Sequence, residues 1–187
     1  MRDNREELIF WTKYLAQKNL ISGSEGNLSL RVERGFFITP SGRIKETLCK
    51  RDLAFYSWEE GFISGKPSSE WGLHAKIYQK NPQAMAIVHT HPPYVLILDK
   101  LGFSFRDFFH PEAQLLLDKI VKLPFFPPGS PKLWDFASNL CINNSLVILS
   151  KHGVVCWGNT LEEAVNLTLL LEKLCKLEYL ALKGGAQ

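Results

Sequence analysis

The stretch Ala84-Met-Ala-Ile-Val-His-Thr-His-Pro-Pro93 constrains the fold more than any other part of the sequence. Its apolar run is too short for a globular helix, and the two prolines that close it can neither continue a helix nor donate to a strand ladder. Residues 84–90 are therefore expected to form a buried strand that stops at a sheet edge. A strand apolar on both sides needs cover on both sides, which demands a layered fold. Successive strand side chains alternate, so His89 and His91 should lie on one face, where two imidazoles can share a tetrahedral metal ion.

The rest of the chain supplies the layers. Residues 4–18 place Leu8, Ile9, Trp11 and Leu15 at helical spacing behind a cap at Asp3 or Asn4. Residues 28–32 and 36–39 read as a hairpin around Glu33-Arg34-Gly35, and residues 53–58 as a further strand. A helix is expected over 70–80 after Pro67-Ser-Ser69, with shorter ones over 94–101, 111–117 and 133–142. Strands are expected over 120–126, 146–150 and 154–157, and Thr160 caps a long amphipathic helix reaching about Lys183. The aromatic stretch 103–109 fits no period. Tight turns between strands, with helices interleaved, point to an α/β fold with a mixed, largely antiparallel central sheet and helices on both faces. With 187 residues and no visible boundary, residues 1–187 are read as one domain.

Composition removes several functions. A net charge of +3 without any basic run argues against nucleic acid as a partner, while suiting a small anionic substrate. No apolar stretch is long enough for a membrane span, and the N-terminus carries no signal-peptide pattern, so the cytoplasm is expected. Cys49, Cys141, Cys156 and Cys175 lack paired spacing and read as core or incidental thiols in a reducing compartment.

His152, at the end of the strand 146–150 and followed by Gly153, occupies a setting like that of His89 and His91. Three histidines leave one coordination position open, the pattern of a catalytic zinc; a His-x-His pair alone also occurs as two unrelated polar residues. Ser68-Ser69-Glu70 stands at a helix N-terminus, whose free N–H groups and dipole favour an anion such as phosphate. Ser22-Gly-Ser-Glu-Gly-Asn27 and Thr39-Pro-Ser-Gly42 are further loops able to approach an anion closely. Each has a plainer reading: an N-cap at Ser68 or Ser69, a dipole-matched acid at Glu70, and ordinary turns. His74, four residues after Glu70, either supports it or packs in the core, and His110 reads as a loop histidine.

Taken in order, Glu25-Gly-Asn-Leu-Ser29, Ile38-Thr-Pro-Ser-Gly42, Pro67-Ser-Ser-Glu-Trp71 with His74 and Tyr78, Val88-His-Thr-His-Pro92 and Lys151-His-Gly153 resemble the class II aldolase/adducin family over nearly the whole chain, most of all its fuculose-phosphate aldolase branch. The resemblance implies a zinc ion, one per chain, on His89, His91 and His152. It implies Glu70 as the catalytic acid/base, and Gly26, Asn27, Ser41, Gly42, Ser68 and Ser69 as the holders of substrate phosphate. It also implies a homotetramer with active sites at subunit interfaces. The expected reaction is retro-aldol cleavage of a small ketose phosphate to dihydroxyacetone phosphate and an aldehyde, the metal stabilising an enediolate. Related outcomes on the same scaffold are dehydration of a methylthioribulose phosphate, epimerisation and decarboxylation, and adducin-like members are non-catalytic interaction modules. Two family tyrosines have no counterpart: Phe105-Arg-Asp-Phe-Phe-His-Pro-Glu112 contains none, and the sequence given ends at Gln187, before a matching tail. The group that handles the proton on the aldehyde-side hydroxyl is thus unassigned by the resemblance.

Overall fold

The computed structural model describes residues 3–185. Eight strands form one sheet: β1 Asn27–Val32, β2 Gly35–Ile38, β3 Ala54–Ser57, β4 Gly61–Ser64, β5 Ala86–Thr90, β6 Ile120–Leu123, β7 Leu146–Leu149 and β8 Gly153–Gly158. Their order is β4-β3-β2-β1-β5-β8-β7-β6, and every neighbouring pair is antiparallel except β6–β7. The sheet is the mixed, largely antiparallel one expected, and the apolar run is indeed its buried central strand, β5.

Alternation along the strands builds two cores. Leu28, Leu30, Ala86, Val88, Val154 and Cys156 face one side, covered by α1 (Asn4–Gln17), α3 (Pro93–Lys100) and α6 (Leu161–Lys183). Ile38, Ile87, Val147, Leu149 and Val155 face the other, covered by α2 (Trp71–Lys80) and α5 (Pro131–Leu140), which pack on each other. The remaining helix, α4 (Gln114–Leu117), is a single turn behind a 3₁₀ turn at Pro111–Ala113. Among the described residues, no helix is long and apolar enough to cross a membrane.

Caps fix the helix ends. Asp3, Ser130 and Thr160 each accept a hydrogen bond from a first-turn N–H of α1, α5 and α6. Ser130 followed by Pro131 starts α5 two residues earlier than the periodicity suggests. β6 stops at Leu123 rather than Phe126, because Pro124 has no N–H for the ladder. β4 was not anticipated; it pairs with β3 through a bulge at Phe55/Tyr56, which hides the two-residue period of so short a strand. Residues 103–109 are irregular, with Phe105 buried against Phe103 and Phe108 at a φ of 58°. Cys141, Cys156 and Cys175 are buried, Cys49 is exposed, and all four are free thiols.

A three-histidine candidate metal centre

β5 and β8 pair from Ala86–Gly158 to Thr90–Val154. His89 lies on the α2 side of the sheet, at the C-terminal end of β5, opposite Asn27 of β1. His91 is the first residue beyond that strand, and His152 sits in the tight turn between β7 and β8. Lys151 holds a left-handed backbone (φ 60°) in that turn, and its N–H donates to Asp99 Oδ2 at 2.8 Å. Gly153 is needed for close approach: a Cβ there would stand 2.3 Å from the Thr90 carbonyl oxygen and 2.7 Å from His91 Cδ2. Glycine at this position lets β8 start hard against β5, which draws the three rings together.

Their ring centroids are 5.0 Å (His89–His91), 4.8 Å (His89–His152) and 5.2 Å (His91–His152) apart. One nitrogen of each lies within 4.8 Å of the others. His89 Nδ1 is 2.9 Å from the Val154 carbonyl, which can only accept, so Nδ1 carries the proton and Nε2 is bare. His91 Nδ1 donates in the same way to the Glu25 carboxylate at 3.1 Å. The two Nε2 atoms face each other at 3.2 Å. A tetrahedral ion with bonds of about 2.0–2.1 Å holds nitrogens about 3.3 Å apart, close to that separation. His152 Nδ1 is buried with no hydrogen-bond partner among the described residues. Burial and the neighbouring imidazoles hold His89 well below the ordinary histidine range, and burial with His91 lowers His152 to about 4. His89 and His152 are therefore neutral at physiological pH, as metal ligands must be. These residues therefore fit a metal ion.

Glu70 lies just before α2, almost fully buried. Its Oε1 accepts from the Gly129 N–H at 2.7 Å and its Oε2 from Trp134 Nε1 at 3.2 Å. Burial raises its pKa above the ordinary carboxylate value, and the two donated hydrogen bonds and His91 only partly offset this. Trp134 reaches Glu70 by lying flat over Gly72, where any Cβ would meet its ring at 2.3 Å.

Glu70 and the three histidines open into one pocket of about 250 Å³, together with Gly26, Asn27, Ser41, Ser68 and Ser69. Gly42 stands apart: it is exposed at the turn beside Ser41 and is not part of the lining. Asn27 Oδ1 is buried without a hydrogen-bond partner among the described residues. Ser68 Oγ accepts from the Glu70 N–H at 3.2 Å, but the N-cap of α2 is Glu70 rather than Ser68 or Ser69, and no side chain caps the helix; both serines line the pocket. Ser24, Glu25 and Pro128 also line it. Glu25 belongs to the segment Glu25–Ser29, yet only the fold reveals its bond to His91. Gly129 and Trp134 were legible only as a loop and an aromatic, being some sixty residues from Glu70.

His74 is wholly buried, with Nδ1 2.6 Å from Ser29 Oγ, which lies 2.7 Å from the Tyr78 hydroxyl. Burial lowers its pKa to about 3. It is a core histidine behind the site rather than a partner of Glu70. His110 caps the turn 111–113, accepting from the Glu112 N–H at 3.3 Å.

The profile of the Class II Aldolase and Adducin N-terminal domain matches residues 6–179. The chain belongs to the class II aldolase and adducin family. An L-fuculose phosphate aldolase of Methanococcus vannielii is 34% identical over 177 residues, covering 95% of this chain and 96% of that one. A 3-oxo-tetronate 4-phosphate decarboxylase of Haemophilus influenzae is 33% identical over 186 residues, covering 96% and 88%. The crystal structure of L-fuculose-1-phosphate aldolase from Thermus thermophilus superposes with a TM-score of 0.87 at 26% identity, covering 98% and 97%. This class II aldolase fold therefore has relatives of two named activities, both acting on phosphorylated substrates.

Proposed function

We propose that this chain is a zinc-dependent lyase that breaks a carbon–carbon bond beside the ketone of a small phosphorylated sugar or sugar acid, releasing dihydroxyacetone phosphate. The observation that carries the reading is the shared pocket: three imidazoles able to hold a metal, a buried carboxyl of raised pKa, and loops of serine, glycine and asparagine. When bound, a zinc ion supplies a Lewis acid that polarises the ketone and absorbs the charge developing as the bond breaks.

Within that frame the chain's own residues have distinct tasks. Asn27, Ser41, Ser68 and Ser69 hold the phosphate and fix the distance of the reacting carbons from Glu70. Glu25 and the Val154 carbonyl orient His91 and His89 by accepting from their Nδ1 protons. Glu70 moves the proton at the carbon next to the ketone; its raised pKa brings it closer to the operating pH, where acid/base work is most efficient.

In retro-aldol cleavage, the hydroxyl proton on the aldehyde side leaves and the carbon–carbon bond breaks towards the ketone. The aldehyde departs, and Glu70 protonates the remaining carbon. In decarboxylation of a 3-oxo acid phosphate, carbon dioxide departs instead and no hydroxyl proton is taken. Both give the same enediolate and, once it is protonated, dihydroxyacetone phosphate. One observation favours the second reading: among the described residues, none lining the pocket is a tyrosine. Decarboxylation needs one proton-transfer group fewer.

The test supplies fuculose 1-phosphate and 3-oxo-tetronate 4-phosphate in turn and measures dihydroxyacetone phosphate, aldehyde and carbon dioxide. Aldehyde with the first substrate assigns an aldolase, and carbon dioxide with the second a decarboxylase. Absence of dihydroxyacetone phosphate from both refutes the reading and leaves dehydration or an adducin-like interaction role. The same reading places the protein in the cytoplasm as one domain, in a homotetramer with active sites at subunit interfaces; sedimentation tests the assembly.

A further inference from the structure

A phosphate group needs positive potential, yet among the described residues the pocket lining contains no lysine or arginine and two carboxylates, Glu25 and Glu70. Directly behind two of its loops lies Lys45, only 1% exposed. Its Nζ donates to the carbonyls of Ser24 at 3.0 Å, Pro40 at 3.0 Å and Arg43 at 3.3 Å, and its backbone N–H donates to Gly23 O at 2.9 Å. Ser24 lines the pocket, and Pro40 immediately precedes Ser41, so one ammonium ties both loops together.

No carboxylate among the described residues pairs with Lys45, and the charged groups around it are engaged elsewhere. Arg43 pairs with Asp52 at 3.3 Å, Lys50 with Asp3 and Glu6, and Glu25 accepts from Ser22 N–H and His91. Glu46, next in sequence, is exposed and only favours the charged form. Burial of a cation without a counter-ion is costly, and it lowers the pKa to about 8, which still leaves the ammonium charged at neutral pH. A buried cation satisfied by carbonyls alone gains from an anion arriving in front of it, and by linkage the anion gains equally.

We propose that Lys45 is a positioning residue for the substrate's phosphate: it clamps the loops 22–26 and 40–43 in their binding geometry and supplies the positive charge that the pocket wall lacks. This inference rests on the pocket being a phosphate site.

The test measures binding of inorganic phosphate by calorimetry, on metal-loaded and on chelator-treated protein, so that phosphate on the metal is separated from phosphate on the loops. Lys45→Met should weaken binding about tenfold or more in both forms with metal content unchanged, and Lys45→Arg should restore most of it. If the wild type binds no phosphate, the pocket reading falls and this proposal with it. If the wild type binds and Lys45→Met binds equally, or Lys45→Arg is as weak as Lys45→Met, the role of the Lys45 charge is refuted while the pocket reading stands. Should Lys45→Met not fold, the wild type and Lys45→Arg decide. Phosphate affinity should fall as pH rises through about 8 in the wild type only. The same profile in both overturns the proposal.

Discussion

His89 is delivered by β5, His91 by the position just after it and His152 by the tight turn into β8. They are held mostly by backbone, through a ladder from Ala86 to Thr90, a carbonyl at Val154 and the close approach at Gly153, with the Glu25 side chain on His91. Glu70 and the anion loops are delivered by segments between elements and held by single side chains and single N–H groups, namely Trp134, Gly129 and Lys45. The strand-built half is rigid because each position is fixed by neighbours on both sides. The loop-built half depends on a few long-range ties, each of which one substitution can cut. Metal binding and turnover should therefore separate on mutation.

Glu70→Gln gives the sharpest separation. It removes the proton-transfer group but keeps the shape, so kcat for dihydroxyacetone phosphate release should fall about 10²–10⁴-fold while metal content stays at one per chain. Near-normal turnover would take Glu70 out of the mechanism. Gly153→Ala attacks the rigid half instead. Its Cβ has only backbone and a ligand ring to push against, so denaturant unfolding should show a loss of about 3 kcal/mol, with metal retention falling alongside. Stability lost with metal retained in full would mean that the turn does not set the ring positions.

Trp134→Phe is a smaller cut in the loop-built half. It removes one of the two hydrogen bonds to the Glu70 carboxyl, for a loss of roughly tenfold in kcat with metal unaffected. The smallest effect expected is on pH. His152 holds off its proton until about pH 4, whereas in the unfolded chain it is protonated near 6.5. Between those values the unfolded state binds more protons, so metal-free protein should lose stability as pH falls through that window, and less steeply in His152→Gln. Equal slopes in the two proteins would show that His152 is not held neutral by its surroundings.

The same contrast explains what could be read from the sequence. The rigid half was legible because its signals are local: a short apolar run, alternation that puts His89 and His91 together, and a histidine followed by glycine at a second strand end. The loop-built half was legible only in outline. Ser68, Ser69 and Glu70 announce a helix start, but nothing local reveals that Trp134 crosses Gly72 to bind Glu70. Lys45 belongs to a residue type that is normally exposed, and its burial follows from two loops folding over it. Gly42 shared a turn with Ser41 and was grouped with it, although only Ser41 faces the pocket. β4 was lost to a bulge, and residues 103–109 to a left-handed Phe105, which no pattern announces.

The central claim is a metal ion on His89, His91 and His152, and X-ray absorption at the metal edge of the purified protein tests it most directly. About three nitrogen ligands at about 2.0–2.1 Å with imidazole scattering are expected, falling to two in His152→Ala. Protein that holds no metal after reconstitution, or a shell unchanged in His152→Ala, would contradict it.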